Sequence, residues 1–265
     1  MRSVMRKVLM SAAALAGSAT VWAQGCSLIN KGVSEVRDAT GAVVPLPAPQ
    51  IEACNGLRVV KGTVVACTVG ARGRSACKTF QAGQQLSQPN VLRSETASGA
   101  WYTLADILKG SPGRVSAVSR GRSARSLPTG TVAMLQPVAL APAFETDPAM
   151  RGTQGIEVRE GGEDGPLVAT LTAKGTRTLA TRKLKPGLQY SWRIHPAPGD
   201  LPLTGEFTLL GEAERRQAGA EAERVQLATR GDAAAQAVMW AGWLASRRCE
   251  HEAAQVLSQA GFDVE

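Results

Sequence analysis

The clearest periodic pattern in the chain lies at residues 188–195. Apolar residues occupy alternate positions, at Leu188, Tyr190, Trp192 and Ile194. Successive side chains of a β-strand point to opposite faces, so this alternation predicts a strand with one buried face. Other strand candidates, separated by Gly- or Pro-containing turns, lie at residues 132–140, 156–159, 167–172, 176–181 and 206–210. Short strands at this spacing predict a β-sandwich over residues 131–210.

The first part of the predicted mature chain, residues 24–122, is rich in Gly, Val and Thr. Residues 57–69, "LRVVKGTVVACTV", have the composition of a strand, and the turn "GARGRS" before "ACKTF" predicts a hairpin. Cys67 and Cys77 lie symmetrically about this turn. Directly opposed residues on antiparallel strands have close Cβ atoms, so we expect a Cys67–Cys77 disulfide. A basic linker, residues 123–130, follows this small β-domain.

The last part of the chain, residues 211–265, is predicted to be a helical cap. Its first segment is rich in Ala, Glu and Arg, which favour helices. Asp232 is suited to cap a second helix, and Gly261 to end a third, with Phe262 packing back. The predicted fold is therefore mainly β, with a small β-domain, a β-sandwich and a C-terminal α-helical segment.

The helical hairpin at residues 232–261 has apolar positions that it cannot bury alone. We expect it to pack on the first helix of the cap, on the sandwich or on a partner protein. Trp240 and Trp243 are the candidate residues for a partner contact. The alternative for both tryptophans is ordinary core packing.

The first 23 residues have the order of features found in secretory signals. Positive charges at Arg2, Arg6 and Lys7 precede an apolar run, and Val21-Trp22-Ala23 offers a cleavage site. The apolar run is shorter than the roughly 20 residues that a retained membrane anchor needs. Lipid anchoring through Cys26, which follows Gly25, is a further alternative. The sequence predicts a signal peptide at residues 1–23 and an exported, periplasmic protein without a transmembrane span.

The chain is basic, and one segment concentrates this charge. Removal of residues 1–23 takes away three positive charges, so the net charge falls from +8 to +5. No acidic residue lies between Asp106 and Glu145, whereas this interval contains Lys109, Arg114, Arg120, Arg122 and Arg125. The segment is either a solvated linker or a contact for an anionic envelope polymer or lipid. No aromatic residues interleave these charges, so a nucleic-acid partner is not expected.

Five cysteines remain after the predicted cleavage. They are Cys26, Cys54, Cys67, Cys77 and Cys249. Export to an oxidising compartment favours disulfides, with Cys26–Cys54 as the second pair and Cys249 left over. The alternative is that some of them are buried thiols. The absence of a C-x-x-C pair argues against a zinc knuckle or a thioredoxin-like site.

No motif in the sequence predicts catalysis. The two histidines, His195 and His251, lack metal-ligand spacing, and no nucleophile elbow or phosphate-binding loop is present. Glu163 and Asp164 are adjacent, but they lie in a predicted turn, where acidic residues are common. Cys249 follows two arginines that would lower its pKa. We predict no catalytic residue, no metal and no cofactor, so the protein is not expected to be an enzyme; a hydrolase with an unrecognised site is the weakest alternative.

Three stretches resemble known families. The order "GTVV" (62–65), a hairpin, "FxAGxxL" (80–86) and "LRSETASGAWYTL" (92–104) resembles the FecR-like periplasmic domain over residues 57–122, which implies an all-β module with a hydrophobic strand after the small residues. "LxPGxxYxWxI" (184–194) is similar to immunoglobulin-like and fibronectin type III-like sandwiches, which implies that Tyr190 forms a structural corner and Trp192 fills the core. Residues 232–261 resemble one tetratricopeptide-like unit.

For Tyr190 and Trp192 the functional alternative is an exposed sugar- or peptide-binding platform, which the alternation argues against. The sequence therefore predicts an exported, non-catalytic envelope protein. We expect it to act as a binding or scaffold module for another envelope protein, and the FecR-like resemblance implies a signalling-accessory role. The alternative is a cell-wall or polysaccharide-binding protein that uses residues 109–125.

Overall fold

A computed structural model describes most of the chain after the predicted signal peptide. The described residues are 25–69, 74–87, 89, 94–95, 100–108, 130–133, 138–139, 155–172, 178–179, 184–195, 203–229 and 231–264. The predicted signal peptide (residues 1–23) lies outside them. So does the basic segment, with its polyanion-contact candidates Lys109, Arg114, Arg120, Arg122 and Arg125.

Thirteen strands and four helices are assigned in the described residues. The first group comprises β1 Gly25–Arg37, β2 Val43–Val44, β3 Ala48–Ile51, β4 Arg58–Val69, β5 Arg74–Gln81, β6 Ser94–Glu95 and α1 Ala100–Leu108. The second comprises β7 Gly130–Val132, β8 Val138–Ala139, β9 Gly155–Glu160, β10 Leu167–Leu171, β11 Thr178–Leu179, β12 Gln189–His195 and β13 Leu203–Leu209. The third comprises α2 Glu212–Ala228, α3 Ala233–Ser246 and α4 Glu250–Gln259.

The N-terminal strands form one sheet in the order β2-β1-β4-β5-β6, and β3 pairs with β1. Strand β4 is buried on both faces. Its Val64 and Ala66 belong to one apolar cluster, with Leu28 and Phe80, whereas Val65 belongs to a second cluster on the opposite face. A strand covered on both faces has a continuous apolar sequence rather than an alternating one, which explains the run "VVACTV".

The two disulfides lie on opposite faces of this sheet. Cys67 and Cys77 are directly opposed on β4 and β5, with their Cα atoms 4.1 Å apart. Cys26 is joined to Cys54, at a Cα separation of 5.4 Å. These are the two pairs expected from the sequence, and Cys249 is a free, buried thiol.

The C-terminal helices pack on the N-terminal sheet, a surface that was not among the three expected from the sequence. Helix α3 also packs on α2, the first helix of the cap, which was one of the three expectations. Helices α1, α3 and α4 share one apolar cluster with Ile29, Val65 and Cys67 of the sheet. Trp101 from α1 and Trp243 from α3 are both buried in this cluster. The first and last parts of the chain therefore bury one common core, because one face of a sheet and one face of a helix layer must each be covered by another apolar surface.

Asp232 connects this helical layer to the edge of the sheet. Its side chain caps α3 by accepting a hydrogen bond from the Ala235 amide at 2.9 Å. It also accepts hydrogen bonds from the Thr79 amide, at 2.9 Å, and from the Thr79 hydroxyl. The capping role was predicted from the sequence, whereas the contact with β5 brings together residues 153 positions apart.

The end of α4 agrees with its sequence prediction. Gly261 has φ = 78° and its amide donates to the Ser258 carbonyl, while the Phe262 amide donates to the Leu257 carbonyl. This pair of bonds is the Schellman arrangement, in which glycine adopts the left-handed conformation without a Cβ penalty. Phe262 packs back into the core, as expected.

The middle of the chain forms a second sheet in the order β10-β9-β12-β13-β7, in which β7 runs parallel to β13. A separate two-stranded pair joins β8 to β11. One continuous strand was predicted at residues 132–140. This prediction was wrong, because β7 ends at Val132 and β8, at Val138–Ala139, belongs to a different sheet. Five of the six strand candidates otherwise coincide with strands in the structure.

Tyr190 and Trp192 lie on the buried face of β12, as the alternation predicted. The Lys185 amide donates to the Tyr190 hydroxyl oxygen at 2.7 Å, and the Tyr190 ring stacks on Phe207 at a centroid distance of 5.4 Å. Both aromatic side chains are thus structural, because neither is exposed to a ligand.

The connections into and out of this second sheet are held in the helical core. Ala133, just after β7, and Leu210, just after β13, both belong to the cluster that the helices share with the first sheet. The Leu210 amide donates to the Val132 carbonyl at 2.9 Å, and the Ala133 amide donates to the Glu252 carboxylate on α4. The chain therefore leaves this core after Ala133 and returns to it at Leu210. The core itself is built from both ends of the chain.

Gly205 provides a test of packing in the second sheet. It lies opposite Trp192 in the β12–β13 ladder, and an added Cβ would overlap the buried indole. We expect Gly205→Ala to lower the free energy of unfolding by about 2 kcal/mol, as overpacking of a core does. Urea unfolding measures this change.

Gly219→Ala is the matched control, because Gly219 is an α2 residue with open space around its Cα. Removing a helical glycine there should raise the free energy of unfolding by about 0.5–1 kcal/mol. Equal unfolding midpoints for the two variants would contradict the packing assignment of Trp192.

Candidate functional site

The outward face of the second sheet carries the polar side chains that alternate with its core residues. On neighbouring strands β9 and β12, Arg159 lies opposite Ser191 and Glu157 lies opposite Arg193. The β9–β10 turn, residues 161–166, carries Glu163 and Asp164 beside this face. The predicted turn at "EGGEDG" is therefore confirmed.

A cleft of about 280 Å³ lies on this face. We call it the sheet cleft, and its lining residues are Glu157, Arg159, Glu163, Asp164, Ser191, Trp192 and Arg193. Six of these seven residues are polar or charged. Trp192 is the exception, and it is almost fully buried.

One pair of charges in the sheet cleft is already neutralised. The guanidinium of Arg159 lies 2.9 Å from the carboxylate of Glu157, two residues before it on β9. The same guanidinium donates to the Gly165 carbonyl at 3.1 Å. Arg159 therefore holds the β9–β10 turn against the sheet rather than presenting a free charge.

Three other charges border the sheet cleft without such partners. Glu163 and Asp164 are exposed on the turn, and Arg193 is exposed on β12. Within the described part of the chain, none of the three forms an ion pair or a side-chain hydrogen bond. The rim of the cleft thus presents two carboxylates and one guanidinium to solvent.

The sheet cleft contains side chains that can bind a ligand. Ser191 is its hydroxyl-bearing residue, and none of the cleft's lining residues is a histidine that would activate it. Charged and hydroxyl groups on a rigid sheet can form ion pairs and hydrogen bonds with a ligand. Among the residues that the structure describes, no group of three or more His, Cys, Asp or Glu is placed to hold a metal ion.

Cys249 and His251 lie together near the start of α4, but they do not form a reactive pair. Cys249 is fully buried, and burial, followed by the carboxylates of Glu252 and Glu214, raises the pKa of its thiol. The expectation that neighbouring arginines lower this pKa was wrong, because the desolvation of the thiolate outweighs the effect of Arg247.

His251 is buried, and burial lowers its pKa from an ordinary value of 6.5 to about 4. Between these values the unfolded chain binds a proton that the folded chain does not bind, so stability rises with pH. The contribution of neutral, buried His251 to the free energy of unfolding is complete above about pH 6.5 and decreases as the pH falls towards 4. This shift in pKa changes the free energy of unfolding by about 3 kcal/mol.

Urea unfolding of the wild type and of His251→Phe between pH 4 and pH 7 tests this. We expect the difference in unfolding free energy between the two chains to change by about 3 kcal/mol across this range, in favour of the wild type at higher pH. A constant difference would show that His251 titrates normally in the folded protein.

The predicted partner contacts on α3 are not both accessible. Trp243 is 2% exposed, so a partner cannot reach its side chain while the helices stay packed. Trp240 is partly buried and stacks on Trp243 at a centroid distance of 5.2 Å, with 11° between the ring planes. The prediction of Trp243 as a contact residue was therefore wrong, and core packing explains it.

The sheet cleft was not predicted from the sequence. The sequence contains one sign of it. Ser191 and Arg193 alternate with Tyr190 and Trp192, so these two polar side chains lie on the opposite face of the strand. Glu163 and Asp164 were interpreted as an isolated turn, since they are nearly thirty residues from Arg193 in the sequence. Their proximity depends on the pairing of β9 with β12.

The comparisons with known proteins give no family for this chain: neither the models of known protein families nor the curated proteins match it. None of the helices in the described ranges combines the length and the apolar character that crossing a bilayer requires.

Proposed function

We propose that the chain is an exported, non-catalytic binding or scaffold module of the cell envelope, which engages another envelope protein. The observation that carries the proposal is the sheet cleft. There Glu163 and Asp164 on the β9–β10 turn and Arg193 on β12 form no ion pair or side-chain hydrogen bond with any residue that the structure describes. Unpaired charges around a small cleft favour recognition of a complementary surface.

The fold around the cleft supports this function. The order β10-β9-β12-β13-β7, with β8 and β11 paired separately, supports the proposal of an immunoglobulin-like or fibronectin type III-like sandwich. The hydroxyl of Tyr190 accepts a hydrogen bond from the amide five residues before it, as in a tyrosine corner. Sandwiches of this kind commonly present their faces and loops to other proteins.

The two disulfides support export. Cys26–Cys54 and Cys67–Cys77 are both formed, and disulfides persist in oxidising compartments such as the periplasm. Together with the signal-like residues 1–23, they favour a periplasmic location. The FecR-like resemblance of residues 57–122 would add an accessory role in signalling, although helix α1 occupies Ala100–Leu108, where the resemblance implied a strand.

Cross-linking in intact cells tests the proposed function. The full chain, tagged at its C-terminus, is cross-linked, recovered under denaturing conditions and analysed by mass spectrometry. We expect one envelope protein to be recovered in near-stoichiometric amount, and not with a tagged, exported control protein of similar size. Recovery of cell-wall fragments without a stoichiometric protein would contradict the proposal and favour the polymer-binding alternative.

A further inference from the structure

The sheet cleft is small and polar for a ligand site. Small-molecule sites are usually mostly apolar and measure about 300–1,000 Å³. The sheet cleft measures about 280 Å³, and its lining is mainly charged. These properties suit one or two side chains from a protein segment better than a free small molecule.

The charges that have no ion-pair partner among the described residues define the chemistry of that segment. Because Arg159 and Glu157 neutralise each other, the groups available for binding are the carboxylates of Glu163 and Asp164 and the guanidinium of Arg193. A cationic side chain complements the two carboxylates, while a carboxylate complements Arg193, which can bind it through two parallel hydrogen bonds.

The backbone of the turn that carries the two carboxylates is fixed before any partner binds. The Gly161 amide donates to the Gln189 carbonyl at 2.8 Å, and the Glu160 amide donates to the Pro166 carbonyl at 3.0 Å. Arg159 adds its bond to the Gly165 carbonyl. A turn fixed at both ends loses little conformational freedom on binding, which favours affinity.

We propose that the sheet cleft is the docking surface for a partner segment that places a Lys or Arg side chain against Glu163 and Asp164 and a carboxylate against Arg193. The inference rests on the proposed function and specifies the partner chemistry that this surface accepts. It excludes an anionic polymer as the occupant of this face, because two carboxylates would repel it.

A titration followed by NMR tests the inference without knowledge of the partner. The probe is acetyl-Lys-Glu-amide, added to the full exported chain labelled with ¹⁵N, and the uncharged control probe is acetyl-Gln-Gln-amide. We expect saturable shifts of the Glu163, Ser191 and Arg193 amides with the charged probe alone. Added salt should weaken the response, because these charges are exposed.

Substitutions of the rim locate the effect. Glu163→Gln/Asp164→Asn, and separately Arg193→Gln, should each weaken binding of acetyl-Lys-Glu-amide about tenfold. The matched control is Glu223→Gln/Asp263→Asn, which removes two exposed carboxylates that do not line the cleft. Well-dispersed spectra of all variants establish that each chain is folded. No saturable response, or equal responses of the wild type and both rim variants, would overturn the inference.

The cross-linking experiment separates this inference from the proposed function. If one envelope protein is recovered equally with the wild type and with Glu163→Gln/Asp164→Asn, the binding function stands and the docking surface lies elsewhere. If no protein is recovered, the proposed function fails, and the titration still decides whether the sheet cleft accepts a Lys–Glu segment.

Discussion

Replacement of Cys26 and Cys54 by alanine is expected to lower the free energy of unfolding by about 3–4 kcal/mol. The disulfide joins residues with a sequence separation of 28. Its removal raises the conformational entropy of the unfolded chain and so favours unfolding. Both cysteines are buried in the apolar cluster that contains Val64 and Ala66, on the face of the first sheet opposite the helices. Urea unfolding of the oxidised wild type and of the double variant measures the change.

The single variant Cys26→Ala is the control for this prediction. It removes the same disulfide but leaves Cys54 in place, so it should lose nearly as much stability as the double variant. The Cys67–Cys77 disulfide has a sequence separation of 10, and Cys67→Ala/Cys77→Ala should cost about 1 kcal/mol less in loop entropy. Unfolding of the reduced wild type at the same urea concentration as the oxidised protein would contradict the prediction.

Asp232→Ala is expected to lower the free energy of unfolding by about 3 kcal/mol. The substitution removes the α3 cap, worth about 1 kcal/mol, and two charge-assisted hydrogen bonds to Thr79. It also leaves the Thr79 amide without its partner at the sheet edge. Urea unfolding measures the loss, and protection of the Thr79 amide from hydrogen exchange should decrease at the same time.

Two variants divide this effect into its parts. Thr79→Val removes the hydroxyl bond while the amide bond and the helix cap remain, so it should cost about 1 kcal/mol. Asp263→Ala removes an exposed carboxylate from the C-terminal segment and should change stability by less than about 0.5 kcal/mol. If Asp232→Ala lowers the free energy of unfolding by only the roughly 1 kcal/mol of a helix cap, the bonds of Asp232 to Thr79 do not stabilise the packing of the helices on β5.

Much of the fold follows from local patterns in the sequence. The alternation around Tyr190 and Trp192 predicted strand β12 and its buried face, because side-chain period decides which residues of a strand share a face. Asp232 and Gly261 predicted helix ends, since capping depends on residues within one turn. The symmetric positions of Cys67 and Cys77 about a hairpin turn predicted their pairing.

Long-range packing was not predictable in the same way. The sequence placed α3 and α4 in a separate cap, because nothing in residues 233–259 indicates which apolar surface will cover them. In the structure they cover the face of the first sheet that carries Val65 and Cys67. Trp243 was therefore interpreted as a contact for a partner, although the protein's own core contains it.

The sequence by itself determined most strands of the second sheet, the β4–β5 hairpin with its Cys67–Cys77 pair, the start of α3 and the end of α4, because each depends on neighbouring residues or on one hairpin. Only the tertiary structure decided that both ends of the chain build one core and that Glu163 and Asp164 stand beside Arg193. The physical reason is that hydrophobic burial is non-directional, so a sequence shows which residues must be buried but not which surfaces will meet. The sheet cleft exists because β9 and β12 pair in one register, and that register is set by the core beneath it.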